Sequence, residues 1–173
     1  MEPIEFQHTI YNDERGSFME THRANELPGV KFVQSNQSIS KRGVIRGLHY
    51  QEGEFAQAKL VRVSHGSVID FVVDIRRGSP EYGKLKWYLL TWKNGKSLFI
   101  PSGFAHGFVA LEDDTVFSYN CDNYYNKDSE RGINLFSPGL GIMNVIKENT
   151  NLKGDDLILS WKDRLYPDLA QMC

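Results

Sequence analysis

The chain has 173 residues, 40% of them hydrophobic and 24% charged, and a formal net charge of −2. That length suits a single domain over residues 1–173 with a core able to fold by itself, and a charge so near zero gives no field to hold nucleic acid or an anionic membrane. Two cysteines, Cys121 and Cys173, are too few for a disulfide framework, no apolar run spans a bilayer, and Met1-Glu2-Pro3 does not read as a signal peptide, so the expected setting is the reducing cytoplasm.

Ile4, Phe6 and Ile10 alternate loosely and lead into the polar turn Asn12-Asp13-Glu14-Arg15-Gly16, then Ser17-Phe18-Met19-Glu20. An edge hairpin is predicted there. Arg15, Phe18 and Glu20 also supply a cation, a ring and a carboxylate, a set suited to a phosphate, a base and a ribose. Residues 30–40 read as a strand. Its Gln34, Asn36 and Ser38 share one face at period two, either solvated or lining a polar cavity. Lys41-Arg42-Gly43 turns the chain into Val44–Gln51, where Gly47, His49 and Gln51 fall on one face and Gly47 leaves room beside His49. A lone strand histidine is more often a satisfied core residue, but the glycines that bracket it favour a functional reading. In the next strand, Lys59 to Val63, Lys59 shares a face with Val61 and Val63. A lysine on an apolar face is rarely buried unpaired, so this conflict marks it as a functional candidate.

Val68 to Ile75 is apolar enough for a central strand. Trp87–Trp92 and Ser97–Ile100 flank Asn94-Gly95 and predict a hairpin with a type I′ turn, whose two central residues both need positive φ. Pro101-Ser102-Gly103 opens Phe104–Ala110, with His106 beside Gly107, and Thr115–Tyr119 is a further strand ahead of Tyr124 and Tyr125. Residues 133–158 predict only turns. Ile158 to Asp163 reads as a strand ending in an acid, and Pro167 opens a short helix over 168–172. Many short strands with regular turns and little helix give an all-β class, a β-sandwich or jelly-roll barrel with short peripheral helices.

The spacing Gly43, His49-Tyr50-Gln51, Lys59, Gly66, followed by Gly95, Pro101 and His106, resembles the two short motifs of the cupin superfamily. In metal-binding cupins, the positions of Gln51 and Lys59 carry a histidine and a glutamate. Zinc and iron want imidazole, thiolate or carboxylate, whereas a lysine ammonium has three donors and no acceptor. The substitution points to an anion-stabilising site without metal or cofactor.

Longer strings carry a more specific resemblance. They are Asp13-Glu14-Arg15-Gly16, Phe32-Val33-Gln34, Arg46-Gly47-Leu48-His49-Tyr50-Gln51, Lys59-Leu60-Val61-Arg62-Val63, Pro101-Ser102-Gly103-Phe104-Ala105-His106-Gly107-Phe108, Tyr124-Tyr125, Glu130-Arg131-Gly132 and Ser160-Trp161-Lys162-Asp163. From about residue 4 to residue 170 the chain resembles the dTDP-4-dehydrorhamnose 3,5-epimerase family. The resemblance implies a cupin-type jelly roll that inverts C5, C3 or both in a nucleotide-linked 4-keto-6-deoxy sugar. It implies His49 as general base, Asp163 as its partner, Lys59 as holder of the C4 oxygen and Tyr119 as proton donor from the opposite face; by general electrostatics a nearby lysine cation is expected to lower the Tyr119 pKa. It further implies His106 and Gln51 in the sugar pocket. Arg15, Phe18, Glu20, Gln34, Asn36, Arg46 and Tyr125 would hold the nucleotide, in a homodimer whose N-terminal hairpins cross between subunits. Met143-Asn144 replaces the family's usual Trp-Pro, and Leu135-Phe136-Ser137-Pro138 its usual Trp-Asn-Asp-Pro. These changes are expected to bear on which sugar fits and on whether one or two centres invert. A metal-dependent cupin and a non-catalytic sugar-nucleotide binder remain as rival readings.

Overall fold

The computed structural model describes residues 1–172. The strands are β1 (Ile4–Gln7), β2 (Tyr11–Asp13), β3 (Gly16–Phe18), β4 (Gln34–Ser40), β5 (Val44–Gln51), β6 (Lys59–His65), β7 (Ser67–Asp74), β8 (Leu85–Thr91), β9 (Lys96–Ile100), β10 (Phe104–Ala110), β11 (Thr115–Cys121), β12 (Glu130–Gly132) and β13 (Ile158–Leu159). Two short α-helices, α1 (Ile142–Asn149) and α2 (Trp161–Arg164), complete the set with four 3₁₀ turns. One sheet runs β1-β9-β6-β11-β4. The other runs β12-β5-β10-β7-β8, with β13 added parallel to β5, and β2–β3 form a hairpin of their own. The sheets face each other as a jelly-roll sandwich and do not close into a barrel.

Three apolar layers explain the burial. Val61, Val63, Leu98, Ile100 and Phe117 of the first sheet meet Val68, Val72, Leu90, Phe104 and Phe108 of the second. On the outer side of the second sheet, Ile45, Ile69, Phe71, Val73 and Val109 are capped by Leu135, Leu140, Ile142, Ile146, Leu152 and Leu157. Strand β7 is therefore buried on both faces, which is why it lacks alternation. Leu27, Phe6, Val30 and Phe32 cover Leu60 and Phe99 on the outer side of the first sheet.

Three local expectations are corrected. Strands β8 and β9 do not form a hairpin: β8 pairs with β7, while β9 pairs with β6 and β1 in the other sheet. At Asn94-Gly95 only Gly95 has positive φ. Asn94 acts through its side chain, donating to Leu89 O and accepting from the N–H groups of Thr91 and Lys96. Residues 133–158 hold α1, whose Ile142 and Ile146 are one turn apart and both buried. Asp163 does not end a strand. It sits in the first turn of α2, where the Ser160 hydroxyl caps its N–H at 3.1 Å.

The N-terminus is tied to the end of β7. Asp74 accepts from the Arg76 N–H and guanidinium and from the Ser79 hydroxyl, and Arg76 also reaches Glu2 and lies 4.5 Å from the Phe104 ring centroid. The Arg76 guanidinium, opposed only in part by burial, holds the Asp74 carboxyl down at about 2. A depressed folded-state pKa adds stability above the unfolded value of about 4, and that stability is lost as pH falls toward 2. Asp74→Asn should therefore lower the unfolding midpoint in urea at pH 7, and the gap from wild type should close as pH falls from about 4 to about 2. A gap that is the same at both ends would contradict this.

Candidate active site

Between the sheets, floored by Phe108 and Phe117 of the core, lies a cavity of about 350 Å³ joined by a second of about 210 Å³. His49, Lys59, Tyr119 and Glu130 border both. His49 comes from β5 in one sheet, and Lys59 and Tyr119 come from β6 and β11 in the other. The imidazole and the phenol thus reach the same space from opposite walls.

A bulge aims the β5 side chains. His49 pairs with His106 and Arg46 with Phe108, so Gly47 and Leu48 together oppose Gly107. The extra residue puts Arg46 and His49, three apart, on the same cavity. It also reassigns Gly47. A Cβ there would lie 2.5 Å from the His106 carbonyl oxygen and 2.7 Å from Gly107 Cα. What approaches Gly47 is the neighbouring strand, not a ligand.

His49 Nε2 lies 2.6 Å from Asp163 Oδ1. Burial pushes the Asp163 carboxyl up, but the hydrogen bond and charge of His49 outweigh it and hold the group below its usual range. The carboxylate therefore accepts the Nε2 proton, and Nδ1 is left as the basic nitrogen. Lys59 has neither an ion-pair nor a hydrogen-bond partner among the described residues, and its Nζ is 5.8 Å from the Tyr119 ring centroid. Burial lowers its pKa, against the pull of Cys121, Asp70 and Glu130. Tyr119 is raised, chiefly by burial, and the cation that opposes this is Arg46. The expectation that Lys59 lowers the Tyr119 pKa is thus corrected, and the phenol stays protonated at neutral pH.

His106 lies directly across from His49 in the β5–β10 ladder, and its Nε2 is 2.8 Å from Asp70 Oδ2. Asp70 is fully buried and its Oδ1 has no hydrogen-bond partner among the described residues. Sequence reasoning missed this acid, although the signal used for Lys59, a charge inside an apolar strand, was present in Val68-Ile69-Asp70-Phe71. It also missed Glu130, which accepts the Tyr125 hydroxyl at 2.8 Å and pairs with Lys162 at the cavity rim.

Gln34, Asn36 and Tyr125 line the smaller cavity, as the polar face of β4 suggested. Gln34 accepts from the Tyr125 N–H and donates to Asn36. Gln51 is there too, but its amide is engaged by backbone, donating to Phe55 O and Tyr124 O and accepting from Asn126 N–H. Arg15, Phe18 and Glu20 are not at either cavity. Arg15 pairs with Asp13 and Glu20 with Arg23, and Phe18 is 70% exposed on the β2–β3 hairpin. Among the described residues, no three His, Cys, Asp or Glu side chains are grouped to hold a metal ion.

The model of the dTDP-4-dehydrorhamnose 3,5-epimerase family matches residues 2–171. The chain belongs to this family. It is thereby an isomerase of the epimerase type. A relative of that name from Methanothermobacter thermautotrophicus is 43% identical over 167 residues, 94% of this chain and 86% of the relative. The Legionella pneumophila epimerase, solved with dTDP-4-keto-L-rhamnose, superposes with a TM-score of 0.89 at 39% identity, covering 99% of this chain and 89% of that one. A 3'-monoepimerase from Streptomyces bikiniensis, solved with dTDP-quinovose, gives 0.86 at 30% identity over 97% and 84%. Within this epimerase, the departures at Leu135–Pro138 and Met143-Asn144 lie in the segment that caps the second sheet, and neither cavity includes any of them. The expectation that they shape the sugar site is corrected: their nearness to Tyr119 and Tyr125 in sequence is not nearness to the cavity.

Proposed function

We propose that the protein inverts C5 and C3 of a dTDP-linked 4-keto-6-deoxyhexose. One observation carries the reading: a carboxylate-paired imidazole and a buried phenol face one cavity from opposite sheets, and the lysine on its wall has no ion-pair or hydrogen-bond partner among the described residues. The ketone makes the hydrogens on its flanking carbons acidic. His49 Nδ1 takes one as a proton, the C–H electron pair forms a double bond to C4, and the carbonyl π pair moves onto the C4 oxygen. Lys59 donates a hydrogen bond to that oxygen as its charge grows, an interaction stronger in the transition state than in the ground state. Tyr119 gives its proton to the other face of the carbon, the enolate collapses to the ketone, and the stereocentre is inverted. Asp163 stabilises the imidazolium meanwhile, and solvent resets both proton carriers. The ketone itself accepts the electron pair, so the residues present suffice without a cofactor.

Gln34, Asn36, Arg46 and Tyr125 take the nucleotide in this reading, with His106 and Gln51 at the sugar. Arg15, Phe18 and Glu20 complete the nucleotide site of a second subunit. The exposed aromatic on a hairpin turned away from its own cavity supports that crossing, and a monomer by sedimentation velocity at assay concentration would contradict it. The buried Cys121 thiol, without a disulfide partner among the described residues, fits a cytoplasmic location. The overall reaction is tested by NMR of dTDP-4-keto-6-deoxyglucose incubated with the protein in D₂O. Deuterium is expected at both C3 and C5. Label at one carbon would make this a single-centre epimerase, and label at neither would defeat the reading.

A further inference from the structure

The His49 imidazole has a neighbour that the chemistry above leaves unused. Tyr166, three residues beyond Asp163, packs edge-to-face on it, with ring centroids 5.7 Å apart and planes at 71°. Gly132 makes the room. Strand β12 sets it directly opposite His49, and a Cβ there would stand 2.3–2.5 Å from three atoms of the Tyr166 ring. The segment is fixed from its other end as well, because the Asn134 N–H donates to the Pro167 carbonyl at 2.8 Å. Tyr166 borders neither cavity that holds the reacting groups. It lines a separate one beside β12, with Tyr50 and Arg131. Its hydroxyl is buried without a hydrogen-bond partner among the described residues. The Lys162 ammonium lies 5.9 Å from the ring centroid and interacts with the phenol, so Tyr166 is held by that cation as well as by its contact with the His49 ring.

We infer that Tyr166 is a positioning residue for His49. Asp163 fixes the imidazole at one atom, Nε2, and a single hydrogen bond leaves the ring free to swing about it. The Tyr166 ring closes one side of that swing, so Nδ1 keeps its aim into the cavity. The inference rests on the reading of His49 as the base. Its physical basis is that reacting groups must be held within a fraction of an ångström, and a displacement on the order of 1 Å costs about 100-fold in rate.

The test is a variant set with two readouts: deuterium exchange into dTDP-4-keto-6-deoxyglucose, and the ¹⁵N resonances of the His49 ring. Tyr166→Ala should lower kcat roughly 10- to 100-fold with KM unchanged, and should shift the His49 resonances. Tyr166→Phe keeps the ring and should restore both readouts to within about twofold of wild type. Gly132→Ala should mimic Tyr166→Ala by displacing the ring, and should add little to it in the double variant, since the clash is gone. Should Tyr166→Ala fail to fold, Tyr166→Leu keeps apolar volume without a planar ring and should show the same loss. An alanine or leucine variant with wild-type kcat overturns the inference. So does a higher KM at unchanged kcat, which would place Tyr166 on the substrate, or a phenylalanine variant as slow as alanine. A wild-type protein that exchanges nothing would defeat the base assignment instead, while the His49 resonances still report on Tyr166.

Discussion

His49→Asn should lower kcat by about 10²–10⁴-fold, the range for loss of a positioned general base. Asparagine is shorter than histidine and places its amide near the Nδ1 position, short of Asp163, and it has no atom that takes a proton near neutral pH. KM should change little, because the imidazole contributes mainly once the proton is in flight. Asp163→Asn should fall in the same direction by less. It keeps the geometry near His49 but removes the negative charge that favours the imidazolium. Steady-state rates on dTDP-4-keto-6-deoxyglucose check both. An asparagine variant at position 49 with wild-type kcat would remove His49 from the mechanism.

The second large effect belongs to Lys59. Lys59→Met keeps the length and apolar stem and deletes the charge, and should lower kcat by about 100-fold or more, as for loss of an oxyanion donor. Stability should move the other way. The ammonium is unpaired among the described residues, and burial disfavours its charge, so the wild-type protein carries an uncompensated polar group at this site. The methionine variant should unfold at a higher temperature than wild type. Loss of activity with gain of stability separates a functional lysine from a structural one. Loss of both would mean that Lys59 holds the fold.

That trade was legible from sequence because Lys59 breaks an apolar strand pattern at a single position. The polar face of β4 was legible for the same local reason, since period two in Gln34, Asn36 and Ser38 needs no tertiary information. The pairing of His49 with Asp163 was not, because 114 residues separate them and only the fold brings them together. One part of it was written locally: Ser160, with Asp163 three residues on, is a helix N-terminal signature. Asn94-Gly95 misled for a physical reason. The asparagine serves through side-chain hydrogen bonds rather than positive φ, and the two flanking strands join different sheets. Helix α1 was hidden because it spans eight residues between a glycine and a threonine, too short for its periodicity to stand out.

The most direct measurement is made on Tyr119→Phe with the same substrate in D₂O, following label and stereochemistry together. If His49 and Tyr119 serve opposite faces, His49 still removes and returns protons in the variant. Deuterium then enters at the original face while inversion slows by about 10²-fold or more. Exchange uncoupled from inversion is the predicted result. Inversion at the wild-type rate would contradict it, because the proton would then reach the second face from some group other than Tyr119.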